Sequence, residues 1–356
     1  MKVALIARST LYNAPGGDTV QVQQTAAQLN AIGVMADVKL ANEIIAYQDY
    51  DLLHFFNLIR PADILYHSKK AGKPFVVSTI LVDYSEYDKH YRTGIGALFS
   101  YLPGNSIEYV KTIARFLLGR DHLSSPAYIW LGQRKSILQI LKNAERILPN
   151  SESEYRRVIK AYPAPVKYNV IPNGISPAMF KYNGTLPKDE TLVLCVARIE
   201  GIKNQYNLIK ALNNTRFRLL IIGAYSPNQL AYYNRCRAIA AANVSFIDHL
   251  PQAKLVKYYQ QAKVHVLPSW FETTGLSSVE AAVMGCNLVI TDKGDTREYF
   301  GNEAFYCDPA QPESILKAVE KAAKATVNLS LRKTIIEKYT WAHAAAQTLK
   351  AYQLAI

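Results

Sequence analysis

Two carboxylates in the stretch SWFETTGLSSVEAAVMG, residues 269–285, have seven residues between them: Glu272 at the mouth of an expected helix and Glu280 two turns inside it. An ionised carboxylate only accepts hydrogen bonds, and its two oxygens can take two hydroxyl protons at once. Such a pair therefore suits a polyol, whose hydroxyls it would bind, and not a phosphate, which it would repel. A plainer account also fits the stretch. Glu280 would then be a solvated helix position, and Glu272 a charge favouring the positive end of the helix dipole.

Cations stand at a second place. In LCVARIEGIKNQYNLIKAL, Arg198 ends an apolar run and Lys203 sits in the following loop, before a helix. Two cations there suit a diphosphate, whose oxygens accept charge-assisted hydrogen bonds. The alternative is that each pairs with a nearby acid such as Glu200. After Thr274, Gly275 and Leu276 open the helix that carries Glu280, and backbone N–H groups at a helix start can meet the same phosphates. Gly16 and Gly17, in STLYNAPGGDTVQVQQ, repeat that arrangement after the first apolar run, although a bare Gly-Gly also serves as a simple turn. The pattern is not GxGxxG, so the usual dinucleotide fingerprint is absent. Cations for phosphates and carboxylates for hydroxyls together describe a nucleotide-sugar.

These residues need a scaffold that ends strands where helices begin. Short apolar runs alternate with amphipathic stretches, the mark of an α/β fold with parallel sheets. Expected strands in the first half are KVALIA, DLLHFF, PFVVST and RILP; the second half offers TLVLCVA, FRLLIIG, VSFI, KVHVLP, NLVIT and AFYC. Helices are expected over 18–32, 127–143, 204–212, 227–242, 253–262 and 311–325, and Ser151 with Glu154 forms a capping box for another. In such sheets ligands bind beyond the carboxyl ends of the strands, where all the residues singled out above lie. The stretch YPAPVKYNVIPNGISP, rich in proline, glycine and asparagine, divides the chain into 1–168, joined by a closing helix over 340–356, and 169–339.

Composition narrows the function. At 356 residues the chain suits two domains, and with 49% apolar and 19% charged residues it is globular. No apolar run is long enough to span a membrane, and MKVALIAR reads as a first strand, not a leader. Four scattered cysteines without metal spacing fit a reducing cytoplasm. The formal charge is +13, yet residues 1–110 carry nine basic against ten acidic side chains while 111–170 carry eleven against four. A nucleic-acid partner is not indicated, since neither zinc-finger spacing nor a basic region leading into heptads is present.

The string PSWFETTGLSSVEAAVMGCNLVITDKGDTREYFGNEAFYCDP, preceded by VARIEGIKN, LPNSESEYRRVI and YNVIPNGI, resembles the retaining family 4 glycosyltransferases of GT-B fold, with two Rossmann-like domains facing across a cleft. The likeness is strong over roughly 145–325 and weaker at NAPGGDTVQVQQTAAQLNAIG and YTWAHAAAQTLKAY. It implies that Glu280 binds the ribose, Glu272 holds and orients the transferred sugar, and Arg198 with Lys203 neutralises the diphosphate leaving group. Amides near Gly275 and Leu276, with Thr274 beside them, and those of Gly16 and Gly17 would share the phosphates. The co-substrate would be UDP- or GDP-linked, with no metal and no resident cofactor. Same-face attack on an oxocarbenium-like sugar would follow, the departing phosphate accepting the acceptor's proton. Relatives carry a cleft histidine after the strand that here reads PFVVST; this chain has Thr79, Ile80, Leu81 and Val82 there, with Asp83 fitting either a takeover of its polar role or a simple cap of the loop. His54 and Asn57, at the end of another strand, are acceptor-side candidates, His54 fitting a structural role as well.

The resemblance implies a saccharide or lipid-linked acceptor and a part in cell-surface glycan or polysaccharide assembly. A nucleotide-sugar epimerase or hydrolase, or an inactive nucleotide-sugar-binding subunit, could use the same architecture. Residues 95–146 mix Leu98, Phe99 and Phe116 with Lys111, Arg115, Arg134, Lys142 and Arg146, a basic amphipathic composition that suits an anionic membrane surface. The same composition also fits apolar residues packed on the first domain's core beneath a solvated basic face; on the membrane reading the protein would be cytoplasmic and peripheral at the inner face.

Overall fold

The computed structural model describes residues 1–13, 15–90, 109 and 125–356. Contacts divide the chain into two units. The described parts of Met1–Leu81, Gly94–Asn173 and Trp341–Ile356 form the first, and those of Val82–Thr93 with Gly174–Thr340 form the second.

The first unit is built on a five-stranded parallel sheet, β1 (Lys2–Ala7), β2 (Met35–Leu40), β3 (Leu52–Phe56), β4 (Phe75–Ser78) and β5 (Arg146–Leu148), in the order β2-β1-β3-β4-β5. β1, β3 and β4 are apolar and buried along nearly their whole length, as strands covered on both faces must be. β2 went unpredicted because Asp37 and Lys39 break its apolar run. It lies at the sheet edge, where half its surface is solvated. The helix Trp341–Gln353 belongs to this unit and packs on Gly17–Ala31.

The second unit holds six parallel strands, β6 (Asp189–Val196), β7 (Arg218–Ile222), β8 (Val244–Ile247), β9 (Ala262–Leu267), β10 (Asn287–Thr291) and β11 (Phe305–Cys307), in the order β11-β10-β9-β6-β7-β8. The chain winds outward from β6 through β7 to β8, then returns to β9 and winds the other way. β6 and β9 are therefore neighbours whose following loops diverge, leaving a crevice at their carboxyl ends. One apolar cluster lies around Val279, Leu288 and Ile335, and another around Leu208, Ile221 and Ile315.

The passages between units fall at Asn173 and Thr340, a few residues from the expected bounds, and segment 82–93 groups with the second unit instead of the first. Two contacts explain this grouping. Lys293 Nζ donates to both Glu86 carboxylate oxygens at 2.9 Å. Tyr87 lies so close to Gly201 that a Cβ there would meet its hydroxyl at 1.7 Å.

Of the basic amphipathic stretch 95–146, residues 95–124 lie, Tyr109 apart, outside the described residues. Within the described part, Arg134 donates to the Ala161 carbonyl at 2.5 Å and Arg146 to Asn169 Oδ1 at 2.9 Å. No described helix is long and apolar enough to cross a membrane.

Candidate functional site

The loop after β6 and the loop after β9 are bound together by backbone and amide hydrogen bonds. Asn204 adopts the left-handed conformation (φ 60°), and its buried Nδ2 donates to the carbonyls of Pro268 at 3.0 Å and Pro309 at 2.7 Å. Gln205 Nε2 donates to the Arg198 carbonyl at 2.9 Å, and Trp270 N to the Ile202 carbonyl at 2.8 Å. A third loop joins them after β10. Glu272 N donates to the Lys293 carbonyl at 3.3 Å and Asp295 N to the Glu272 carbonyl at 2.9 Å. This close approach needs Gly294: its φ is 91°, and a Cβ there would stand 2.0 Å from the Glu272 carbonyl oxygen.

The result brings Lys203 and Glu272 together. Lys203 Nζ lies 2.6 Å from Glu272 Oε1, the same oxygen that accepts from Ser269 Oγ at 2.6 Å. Both are largely withdrawn from water, with side-chain exposures of 21% and 7%, so Glu272 is no solvated helix-end charge. An ammonium has three N–H donors, and Glu272 engages one. Arg198 pairs with Glu200 at 3.0 Å, the alternative its sequence context allowed; its side chain is 46% exposed, so this pair adds little to stability. The helix Leu276–Val283 starts beside Glu272, with Gly275 at its N-cap in the left-handed conformation (φ 68°). Thr274 is buried and donates through Oγ1 to Tyr299 at 3.2 Å. Amides in the first turn of that helix have no carbonyl of their own helix to meet, and the helix dipole places positive potential there.

Glu280 is one turn further on, and it is buried. Its Oε1 accepts from Gln252 Nε2 at 2.6 Å and its Oε2 from the Tyr259 hydroxyl at 2.9 Å. Burial pushes its carboxyl from 4.5 up to about 7, and these two hydrogen bonds oppose that shift. A solvated-face account of Glu280 is thereby excluded. Nothing in the sequence singles out Gln252 or Tyr259, which lie 28 and 21 residues from their partner.

The remaining candidates divide. Gly16 caps the helix Gly17–Ala31 in extended conformation, and its own N–H donates to Thr19 Oγ1 at 3.0 Å. Arg8, not singled out from sequence, pairs with Asp18 in that helix's first turn at 2.6 Å. His54 has the surroundings of the structural role that its sequence context also allowed. It is buried, with Nδ1 2.7 Å from the Tyr352 hydroxyl and Nε2 2.9 Å from Ser78 Oγ, and burial pushes its pKa down to about 3. Both ring nitrogens are engaged, so the ring has none left for an acceptor. Asn57 is half-buried and left-handed (φ 77°), with Oδ1 accepting from Ile59 N at 3.2 Å. Asp83 is exposed, and its Oδ1 accepts from Ser85 N at 2.8 Å, just ahead of the short helix Ser85–His90.

In the loop after β4, Ile80 adopts φ 45°, a conformation rarely tolerated by a β-branched residue. It is held there because Thr79 Oγ1 at 2.5 Å and Leu81 N at 2.7 Å both donate to Glu154 Oε1.

Residues 180–339 match the family model described as glycosyl transferases group 1. Among curated proteins, the chain is 28% identical over 178 residues to the D-inositol 3-phosphate glycosyltransferase of Acidothermus cellulolyticus, covering 44% of this chain and 40% of that one. It is 26% identical over 213 residues to an uncharacterised glycosyltransferase of Methanocaldococcus jannaschii, covering 53% and 55%. The chain thus spans about half the length of the curated relatives it matches. Among solved structures, sucrose-phosphate synthase from Thermosynechococcus elongatus superposes with a TM-score of 0.78 at 17% identity, over 99% of this chain and 98% of that one. Anabaena HepE in complex with UDP and glucose gives 0.70 at 15%, over 99% of both chains. The chain therefore has the fold of the GT-B glycosyltransferases, two parallel-sheet α/β domains, and residues 180–339 match the group 1 glycosyl transferase family.

Proposed function

We propose that the protein is a retaining, metal-independent glycosyltransferase of family 4 that takes its sugar from a UDP- or GDP-linked donor bound on the second unit. The observation that carries this reading is the Lys203–Glu272 pair at the diverging loops of β6 and β9, beside the start of the helix Leu276–Val283. On this reading the two ammonium donors that Glu272 leaves over, the Arg198 guanidinium and the first-turn amides take up charge as the diphosphate departs. Fixed donors of this kind need no reorganisation at the moment of reaction, which is why such electrostatic stabilisation is often the largest contribution to rate. Glu272 accepts hydroxyls of the sugar, held in orientation by Lys203 and Ser269, and Glu280 accepts those of the ribose. The leaving phosphate takes the acceptor's proton, so no enzyme nucleophile is required. Binding of UDP and UDP-glucose by structures of this fold supports the donor class. A saccharide or lipid-linked acceptor in cell-surface glycan assembly, at the cytoplasmic face of a membrane, completes the reading.

The test is a panel of UDP-, GDP- and ADP-sugars, with and without saccharide and lipid-linked acceptors, following nucleotide release. Acceptor-dependent release that persists in EDTA, with the anomeric configuration retained in the product by NMR, is expected. Release without any acceptor would make the protein a hydrolase, and loss in EDTA with rescue by Mg²⁺ or Mn²⁺ would refute the metal-free clamp.

A further inference from the structure

Glu280 meets the rest of the second unit in a way that its presumed partner, a ribose, does not require by itself. A carboxylate offers roughly four acceptor positions. Gln252 and Tyr259 occupy two, one on each oxygen, at 2.6 and 2.9 Å. Two are left, as many as a ribose has hydroxyls to donate.

The frame behind this pair is built. Tyr259 is fully buried, with its ring 6.1 Å from His265 in a T-shaped contact and 6.3 Å from Phe180. His265 Nε2 lies 3.3 Å from Ser278 Oγ, on the helix that carries Glu280, and burial keeps that imidazole neutral. Lys188 Nζ donates to the carbonyls of both Tyr259 and Met284, each at 2.6 Å. Those carbonyls lie toward the ends of the helices Gln252–Gln261 and Leu276–Val283, so one half-buried ammonium ties the helix of Tyr259 to the helix of Glu280. A cation at two helix C-termini is favoured by both dipoles. Cys286 Sγ donates to the same Tyr259 carbonyl at 3.2 Å.

We propose, resting on the donor reading above, that Tyr259 and Gln252 are positioning residues: they hold Glu280 as an oriented carboxylate whose remaining lone pairs accept both ribose hydroxyls, so the site's preference for a ribonucleotide depends on them. Burial alone would favour the protonated acid, which turns one acceptor position into a donor and, with Gln252 and Tyr259 already bound, leaves fewer positions for the two hydroxyls. Two donors on the carboxylate oppose this. Removing either one weakens acceptance of the ribose without touching the phosphates or the base.

The experiment compares UDP, or GDP where that is the nucleotide bound, with its 2′,3′-dideoxy counterpart by calorimetry at pH 8, where Glu280 has lost its proton, on the whole chain. Wild type should bind UDP at least about tenfold more tightly, in line with the worth of hydrogen bonds to a charged group. Tyr259→Phe should lose most of that preference through weaker UDP binding, with dideoxy-UDP affinity unchanged. In turnover, KM for the donor should rise while kcat at saturation stays near wild type, since ribose contacts are the same in ground and transition states. Gln252→Leu, at a half-buried position, should do the same and serves if the tyrosine variant does not fold. Equal weakening of both nucleotides, or an unchanged preference in both variants, would overturn the proposal. Failure of the wild type to bind either UDP or GDP would remove the donor reading itself, a separate outcome from a wild type that binds one of them while the variants keep its preference.

Discussion

Glu280→Gln should make the protein more stable above neutral pH while disabling it. The folded state holds the Glu280 proton until about pH 7, against 4.5 when the carboxyl is unperturbed. Between those values the native state binds more protons than the unfolded chain, so stability falls as pH rises through the window and levels off above it. At 1.36 kcal/mol per unit, the change from pH 5 to pH 8 amounts to about 2–3 kcal/mol. Glutamine carries no charge and has no such slope. It keeps one amide oxygen for one of the donors on Gln252 and Tyr259, and the lost hydrogen bond costs about 1 kcal/mol. The variant should therefore gain about 1–2 kcal/mol over wild type at pH 8, some 2–8 °C in Tm for a unit of this size, and lose that advantage by pH 5. Urea melts followed by circular dichroism at both values measure it. A gap between the two proteins that is the same at pH 5 and pH 8, or a variant less stable at pH 8, would show that Glu280 is not held as the structure implies.

Loss of Arg198 or Lys203 to alanine should lower kcat by roughly 10²–10³, the cost of removing one fixed donor from a developing negative charge; turnover kinetics unchanged in either variant would sink the clamp. Gly294→Ala drives a Cβ into the Glu272 carbonyl oxygen at 2.0 Å, so both Tm and turnover should fall. Gly33 has a similar φ of 86° but open space around it, and it lies in the first unit. Gly33→Ala should cost on the order of 1 kcal/mol of strain and leave turnover alone; equal effects of the two glycine changes on turnover would refute the role given to the Glu272–Gly294 approach.

Local pattern was enough to reveal every strand of the second sheet and all but β2 of the first. A buried parallel strand must be a continuous apolar run, and LVLCV, LLII and VHVL are such runs whatever surrounds them. The acids and cations after β6 and β9 were legible for the same reason, since charge immediately beyond an apolar run marks a strand's carboxyl end. β2 was not legible, because an edge strand can expose Asp37 and Lys39 and still pair through its backbone. Nor could the sequence tell that β6 and β9, some 70 residues apart, are neighbours: strand order is a property of the sheet, and it alone brings Lys203 to Glu272 across 69 positions. Sequence left Glu280 open between a solvated helix position and a binding group, and His54 between an acceptor-side and a structural role; burial removes the solvated reading of Glu280 and places His54 among partners. Both meet distant segments, Tyr259 and Tyr352, whereas the described contact of Asp83 is local, with Ser85. A side chain's chemistry follows from its type, but its charge state and its free lone pairs follow from what the fold packs against it.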